Sequence, residues 1–179
     1  MNGLDRVIAV LEGVNITVGR AVRWFALLML ALQFSVVLLR YVFGISYIFL
    51  QEGVMYLHAA LFMLGAGYTL VVDQHVRVDI LYSRLARRGR AVVDLLGGVL
   101  LLCPSLVLLL VMTWPFVRNS WNVLEGPISV GGIPASFLLK TLIPAFCILL
   151  LIQGVVTIVR NALELAGRGP AEDEAEAAG

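Results

Sequence analysis

Charged, metal-binding and redox-active side chains are scarce in this sequence. Only 14% of its 179 residues are charged, and it has two cysteines and two histidines. Soluble domains carry about 25% charged residues, so an ordinary soluble domain is excluded. Both cysteines lie in apolar runs, which indicates neither a disulfide framework nor a zinc site. We therefore expect no metal and no other cofactor. The net charge of +1 indicates no partner by itself, and we do not expect nucleic acid as one.

The two histidines are too far apart to share a ligand. On one continuous helix His58 and His75 would be separated by roughly 25 Å, so they cannot bind one metal ion or one haem. A membrane anchor subunit of a redox enzyme, which needs paired histidines at similar depth, is therefore a less favoured alternative. We interpret His58 as a buried histidine satisfied by a neighbouring hydroxyl or carbonyl group. A contact with a partner subunit is the other interpretation.

Long apolar runs dominate what is present. Hydrophobic residues make up 60% of the sequence, and the mean hydropathy is +0.95. About 20 apolar residues in a helix cross the hydrocarbon core of a bilayer. We predict an all-α membrane protein with one four-helix domain over residues 1–165, whose spans are residues 22–40, 53–72, 95–117 and 141–160. Pro104 is expected to kink the third span, and Pro144 to lie in the first turn of the fourth.

The segments outside the spans are short. Residues 4–18 alternate apolar and polar side chains at near-helical spacing, with Glu12 and Asn15 among the polar ones, which predicts an N-terminal amphipathic interfacial helix. That helix either lies on the membrane surface or continues directly into the first span. No small-residue cleavage site follows the first apolar run, so we expect no cleaved signal peptide. Residues 41–51 predict a tight turn or half-helix, and residues 166–179 an acidic disordered tail.

The basic residues predict the orientation. Ten of the thirteen fall on the side of the two termini, whereas Arg40, Arg118 and Lys140 fall on the opposite side. Because cytoplasmic loops carry an excess of lysine and arginine, both termini are predicted to be cytoplasmic.

Acidic residues are missing from the interior of all four predicted spans. Proton-coupled carriers need a carboxylate near the middle of the bilayer, and Glu52 lies only at the outer end of the second span. A stand-alone four-helix oligomeric carrier is therefore the less favoured alternative. We expect Glu52 to cap the N-terminus of its own helix, where the helix dipole favours a negative charge, with Arg40 as a further partner.

A polar cluster follows the second span. Asp73, His75, Arg77 and Asp79 alternate with less polar residues, which is typical of an extended turn. Arg77 can bond both aspartates at once. No nucleophile and no second histidine lie nearby, so we interpret the cluster as a structural turn or docking surface and do not expect an enzyme.

Several of these residues carry a resemblance. The segments are RYVFG at 40–44, LQE at 50–52, LGAGYTL at 64–70, HVRVD at 75–79, GGIP at 131–134 and KTLIP at 140–144, followed by Gln153. Together they resemble the DctQ-like small membrane subunit of TRAP (tripartite ATP-independent periplasmic) transporters over residues 20–160. HVRVD is the most specific part. Ile48 and Phe49 stand where many members have a tryptophan, as in a branch similar to transporters of 2-oxo acids.

The resemblance implies a small scaffold subunit of a sodium-coupled transporter of organic acids in the bacterial inner membrane. Its partners would be a large permease subunit, which binds substrate and sodium, a periplasmic binding protein and membrane lipid. We take ten residues as structural or subunit-interface candidates: Arg40, Glu52, His58, Asp73, His75, Arg77, Asp79, Gly132, Pro134 and Lys140.

Overall fold

The structure, a computed structural model, describes residues 3–72 and 87–166, and all the regular secondary structure over them is helical. The helices are α1 (Gly3–Val42), α2 (Ile48–Val71), α3 (Arg87–Gly97), α4 (Cys103–Asn122) and α5 (Ser136–Leu165), with a π-helical turn (Gly98–Leu102) joining α3 to α4. Four helical stretches are long and apolar enough to cross a membrane. This confirms the predicted all-α fold with four spans. The predicted disordered tail lies outside the described residues, apart from Ala166.

The first span and the predicted amphipathic helix are one continuous helix. α1 has 40 residues, which corresponds to about 60 Å at 1.5 Å per residue. The N-terminal segment therefore continues directly into the first span and does not form a separate surface helix. The helix ends where Gly44 takes a positive φ of 68°, a conformation that glycine adopts without a side-chain clash. The N–H of Ile45 then donates to the Leu39 carbonyl oxygen at 3.0 Å. α2 begins three residues later, so the turn is shorter than predicted.

The predicted distortion at Pro104 takes the form of the π-helical turn that precedes it. Proline lacks an N–H group, and its ring clashes with the carbonyl group four residues earlier in an ordinary α-helix. The chain widens just before this point, and the N–H of Cys103 donates to the carbonyl oxygen of Gly98, five residues back. The extra residue in that turn lets the helix continue through the proline.

The prediction for Pro144 was wrong. α5 begins at Ser136, so Pro144 lies well inside the helix rather than in its first turn, and it is buried. The sequence-based boundary at residue 141 relied on Lys140 as the end of the apolar run. Lys140 instead lies within the helix, because its charge is neutralised locally, as described below.

α5 is the central helix of the bundle. α1 and α2 pack against each other and against α5, and α3 and α4 also pack against α5. In the most apolar window of α5, 39% of the residues are buried, against 6% in each of the other three spans. The small core contains Leu106, Cys147 and Leu150. The outer faces of the other three spans are therefore left uncovered by the part of the chain that the structure describes.

Glycines set the register between α1 and α2. Gly53 lies opposite Leu32, whose Cδ2 would be 3.0 Å from a Cβ at that glycine, and Gly65 lies opposite Val22. Gly19 leaves room for the ring of Tyr68, which a Cβ would overlap. Small residues of this kind let membrane helices approach closely.

The two ends of the described chain lie on the same side of the bundle. The Arg160 guanidinium donates to the Glu12 carboxylate at 2.9 Å, which joins the end of α5 to the start of α1. The loop between α1 and α2 and the loop between α4 and α5 are at the opposite end, where they meet through Glu52. We call residues 123–135, between α4 and α5, the outer loop.

Candidate functional site

A single buried carboxylate holds the outer loop. Glu52, in the second turn of α2, is only 6% exposed. Its two oxygens accept hydrogen bonds from the backbone N–H groups of Ser129 at 3.0 Å and Ile133 at 2.7 Å. A Cβ at Gly132 would overlap this carboxylate, so the residue must be small for the loop to close over Glu52. The buried charge is thus satisfied by backbone donors from a segment far along the chain.

This arrangement corrects the expected role of Glu52. The first turn of α2 contains no acidic residue. Glu52 accepts hydrogen bonds from backbone N–H groups of the outer loop rather than from the N-terminus of its own helix. Among the described residues it forms no ion pair with Arg40, which is exposed. Gly132, predicted from the resemblance as a candidate, lies against Glu52. Pro134 follows in the same loop and is exposed.

A second set of polar contacts ties the outer loop to α4 and α5. Glu125 pairs with the Lys140 ammonium group and accepts a hydrogen bond from the Ser120 hydroxyl at 2.5 Å. The Ser136 hydroxyl donates to the carbonyl oxygen of Gly126 at 2.5 Å. The Lys140 hydrogen bond, followed by the Ser120 hydrogen bond, holds the pKa of the Glu125 carboxyl below its usual value. Lys140 is therefore a structural residue of this loop.

Aromatic side chains pack around the same contact. The Lys140 ammonium group lies 4.0 Å from the centroid of the Phe116 ring, a cation–π geometry. The Trp121 indole N–H donates to the Thr141 hydroxyl at 2.8 Å, and its ring packs edge-on against Phe137. These contacts hold α4 and α5 together at the end of the bundle that carries the outer loop.

The outer loop presents apolar side chains away from the protein. Val123, Leu124, Ile128 and Val130 are 72%, 64%, 59% and 94% exposed. Leu124 and Gly131 have positive φ angles of 43° and 83°, so the backbone of the outer loop turns at each of these two residues. We call these four exposed side chains the loop apex.

A polar groove lies on the half of α1 and α2 that is nearer the outer loop. It has a volume of about 420 Å³, and its polar lining residues are Gln33, Arg40, Gln51 and His58. We call it the outer polar groove. His58 is exposed, and its ring stacks at 6.4 Å on Phe62. The interpretation of His58 as a buried histidine was therefore wrong, and the alternative, a contact with a partner subunit, stays a prediction.

A buried polar pair joins α1 to α5 near the other end. Asn15 is 1% exposed, and its Nδ2 donates to the Leu149 carbonyl oxygen at 3.2 Å and to Gln153 Oε1 at 3.3 Å. The amide oxygen of Asn15 has no hydrogen-bond partner among the described residues and faces Gly67. Helical periodicity assigned Asn15 to the polar side of an amphipathic helix. Sequence reasoning missed its role because the packing partner lies on another helix.

Four predicted candidates, Asp73, His75, Arg77 and Asp79, lie outside the described residues. Within residues 3–72 and 87–166, no group of three or more histidine, cysteine or acidic side chains is arranged to hold a metal ion.

The fold and these contacts define a multi-pass membrane protein with one anchored loop, whose described residues leave polar and apolar faces exposed. The family model described as the DctQ component of tripartite ATP-independent periplasmic transporters matches residues 28–164. The chain therefore belongs to the DctQ family, and it is the small inner-membrane component of a TRAP transporter. The family is a transporter component rather than an enzyme, and it works with a large permease and a periplasmic binding protein. Comparisons with curated proteins and with solved structures gave no match.

Proposed function

We propose that this chain is the static scaffold subunit of a sodium-coupled transporter that takes up organic acids. It would pack against the large permease subunit, which binds substrate and sodium, while a periplasmic binding protein delivers the substrate. Two features favour a scaffold role over a direct role in transport. The predicted spans contain no carboxylate except at their ends, and the four helices form a bundle with a small core and large uncovered faces.

The outer polar groove carries this proposal. Gln33 lies inside the apolar run of residues 24–39, and His58 lies inside the run of residues 53–72. Both are exposed on the surface of the bundle. Hydrocarbon cannot satisfy their hydrogen-bonding groups, and polar groups at membrane depth normally face protein or water. We therefore propose that the large permease subunit covers this groove and supplies hydrogen-bond partners to Gln33 and His58.

The proposed orientation places both termini in the cytoplasm and the outer loop in the periplasm. It rests on the ten-to-three division of basic residues. In this orientation the loop apex faces the compartment in which a periplasmic binding protein docks. The anchored loop would then give that protein a fixed apolar contact beside the large subunit.

The direct test is co-purification from cells that express this chain with its large permease subunit. Gln33→Ala with His58→Ala should reduce the amount of large subunit recovered, because both contacts in the groove are lost. Leu108→Ala with Met112→Ala is the matched control, since these residues are exposed on the apolar face of α4. An unchanged complex in the first variant and a disrupted one in the control would place the interface on α4 instead.

Transport itself is tested in proteoliposomes that contain the complex and the binding protein. An organic acid that stabilises the binding protein in a thermal-shift screen serves as substrate. We expect uptake with an inward sodium gradient and none without this chain. Uptake by this chain alone would show that it is a carrier and not a scaffold.

A further inference from the structure

A second groove lies between α1, α2 and α5, away from the outer polar groove. Its volume is about 540 Å³, and we call it the basic groove. One wall, from α1, carries Arg20 and Arg23, the only charged residues among the described residues that line it. The opposite walls are apolar and include Phe62, Phe146 and Leu150. The groove is therefore amphiphilic across its width.

The basic wall lies at the start of the apolar run of α1. Arg20 and Arg23 come directly before the apolar run of residues 24–39, and both are exposed. The Arg23 guanidinium lies 5.6 Å from the centroid of the Trp24 ring, and Trp24 is 58% exposed. Tryptophan and arginine are typical of the boundary between lipid headgroups and acyl chains. The apolar walls, in contrast, come from residues inside the second and fourth spans.

Gly65 keeps the groove open. A Cβ at this position would meet only Val22, at 4.0 Å, so the missing side chain leaves space rather than allowing a tight contact. Gly19 has the opposite role, because its missing Cβ is replaced by the ring of Tyr68. A larger residue at position 65 would therefore enter the groove without first disturbing the helix packing.

The chemistry of the groove favours a lipid as its occupant. Its volume of about 540 Å³ lies in the usual range of about 300–1,000 Å³ for small-molecule sites. Two arginines on one wall and apolar side chains on the other walls match a charged headgroup joined to an acyl chain.

We propose that the basic groove binds one anionic phospholipid from the leaflet on the side of the two termini. Arg20 and Arg23 hold its phosphate, because guanidinium groups bond phosphate oxygens in pairs. An acyl chain that extends from there toward the other end of the bundle lies against Phe62 and Phe146. Basic pockets between membrane helices are known to select anionic headgroups. The lipid would join α1 to α2 and α5 on a side where the described residues leave a gap.

The test is a titration of the detergent-purified full-length chain with phosphatidylglycerol, followed by native mass spectrometry. Arg20→Gln with Arg23→Gln should weaken phosphatidylglycerol binding about 30-fold, which corresponds to about 1 kcal/mol for each arginine near the membrane surface. Phosphatidylcholine binding should change little in comparison. Arg6→Gln with Arg88→Gln is the matched control, because it removes the same charge from exposed positions outside the groove.

A second variant tests the groove without changing its charge. Gly65→Leu should reduce phosphatidylglycerol binding by filling the groove, while Gly97→Leu, at a glycine with no neighbour within 4 Å, should leave it unchanged. Equal phosphatidylglycerol affinities in the arginine double variant and its control would overturn the proposal. The proposal would also be overturned if Gly65→Leu lost a co-expressed large subunit but bound phosphatidylglycerol as before. A helix of the large subunit would then be the occupant of the groove.

Discussion

Replacing Glu52 by glutamine tests whether one buried carboxylate holds the outer loop. In the native structure its two oxygens accept hydrogen bonds from the N–H groups of Ser129 and Ile133, at 3.0 and 2.7 Å. Glutamine offers one oxygen and one NH₂ group. One backbone N–H group would then face another donor, and the remaining hydrogen bond would lose its ionic character.

The expected cost follows from these two contacts. A hydrogen bond to a charged group contributes about 1.5–3 kcal/mol, and a buried donor left without an acceptor costs about 1–3 kcal/mol. We therefore expect Glu52→Gln to lower the free energy of unfolding by about 2–3 kcal/mol. Glu52→Ala should lower it by about 3–5 kcal/mol, because both acceptors and the buried side-chain volume are lost.

Two measurements report this effect. Unfolding in mixed micelles of a mild detergent and dodecyl sulfate, followed by tryptophan fluorescence, gives the change in stability. The rate of proteolytic cleavage within the outer loop shows whether the loop itself has been released. The control is Glu12→Gln, which removes the same charge from a carboxylate paired with the exposed Arg160. The Arg160 side chain is 59% exposed and that of Glu12 is 15% exposed. Because one partner stays in solvent, we expect the pair to contribute about 1 kcal/mol or less.

The reasoning is refuted if Glu52→Gln unfolds like the control and its loop is cleaved at the native rate. Gly132→Ala provides an independent check, since the new Cβ would overlap the Glu52 carboxylate. It should release the loop even though every hydrogen-bonding group is retained.

Three further changes have defined outcomes. Asn15→Leu should lower the free energy of unfolding by about 1–2 kcal/mol in the same micelle assay, because its hydrogen bonds to α5 are lost inside the bundle; an unchanged value would contradict the role assigned to it. The Lys140 hydrogen bond lowers the pKa of Glu125 from its ordinary value of 4.5. Ionised Glu125 therefore stabilises the folded protein at pH values above 4.5, and this stabilisation is lost as the pH falls through the lowered pKa. Outer-loop cleavage by an acid-stable protease should therefore rise on acidification, whereas Glu125→Gln should be cleaved faster already at pH 7 and respond less to acid. Reporter fusions at Gly89 and Gly126 should give cytoplasmic and periplasmic signals respectively, and the reverse pattern would overturn the proposed orientation.

Hydropathy predicted the spans well because it is a local property of the sequence. An apolar run of about 20 residues is sufficient to identify a membrane helix, whatever its neighbours are. Boundaries were less accurate where a charge is neutralised by another part of the chain. Lys140 looked like the end of an apolar run, yet it lies inside α5 because Glu125 pairs with it.

The contacts of the candidate site were harder to predict. Glu52 was recognised as significant, but its partners are backbone N–H groups 77 and 81 residues away. A backbone donor has no side-chain signature, so any residue type at those positions would look the same in the sequence. The glycine beside the carboxylate, Gly132, is the available signal, since it marks a close approach of the backbone to another group.

The register between α1 and α2 has a consequence for the surrounding lipid. Gly53 lies opposite Leu32 and Gly65 opposite Val22, so the middle of the apolar run at residues 24–39 lies beside the outer part of α2. The apolar bands of these two neighbours are offset by about 8 residues, or about 12 Å along the helix axes. A flat hydrocarbon slab can cover both bands only if the helices tilt more than the roughly 20° average, or if the bilayer thins beside them. The packing of α1 against α2 thus sets the hydrophobic mismatch between this protein and the bilayer. The stability of the protein should therefore depend on the thickness of the membrane that contains it.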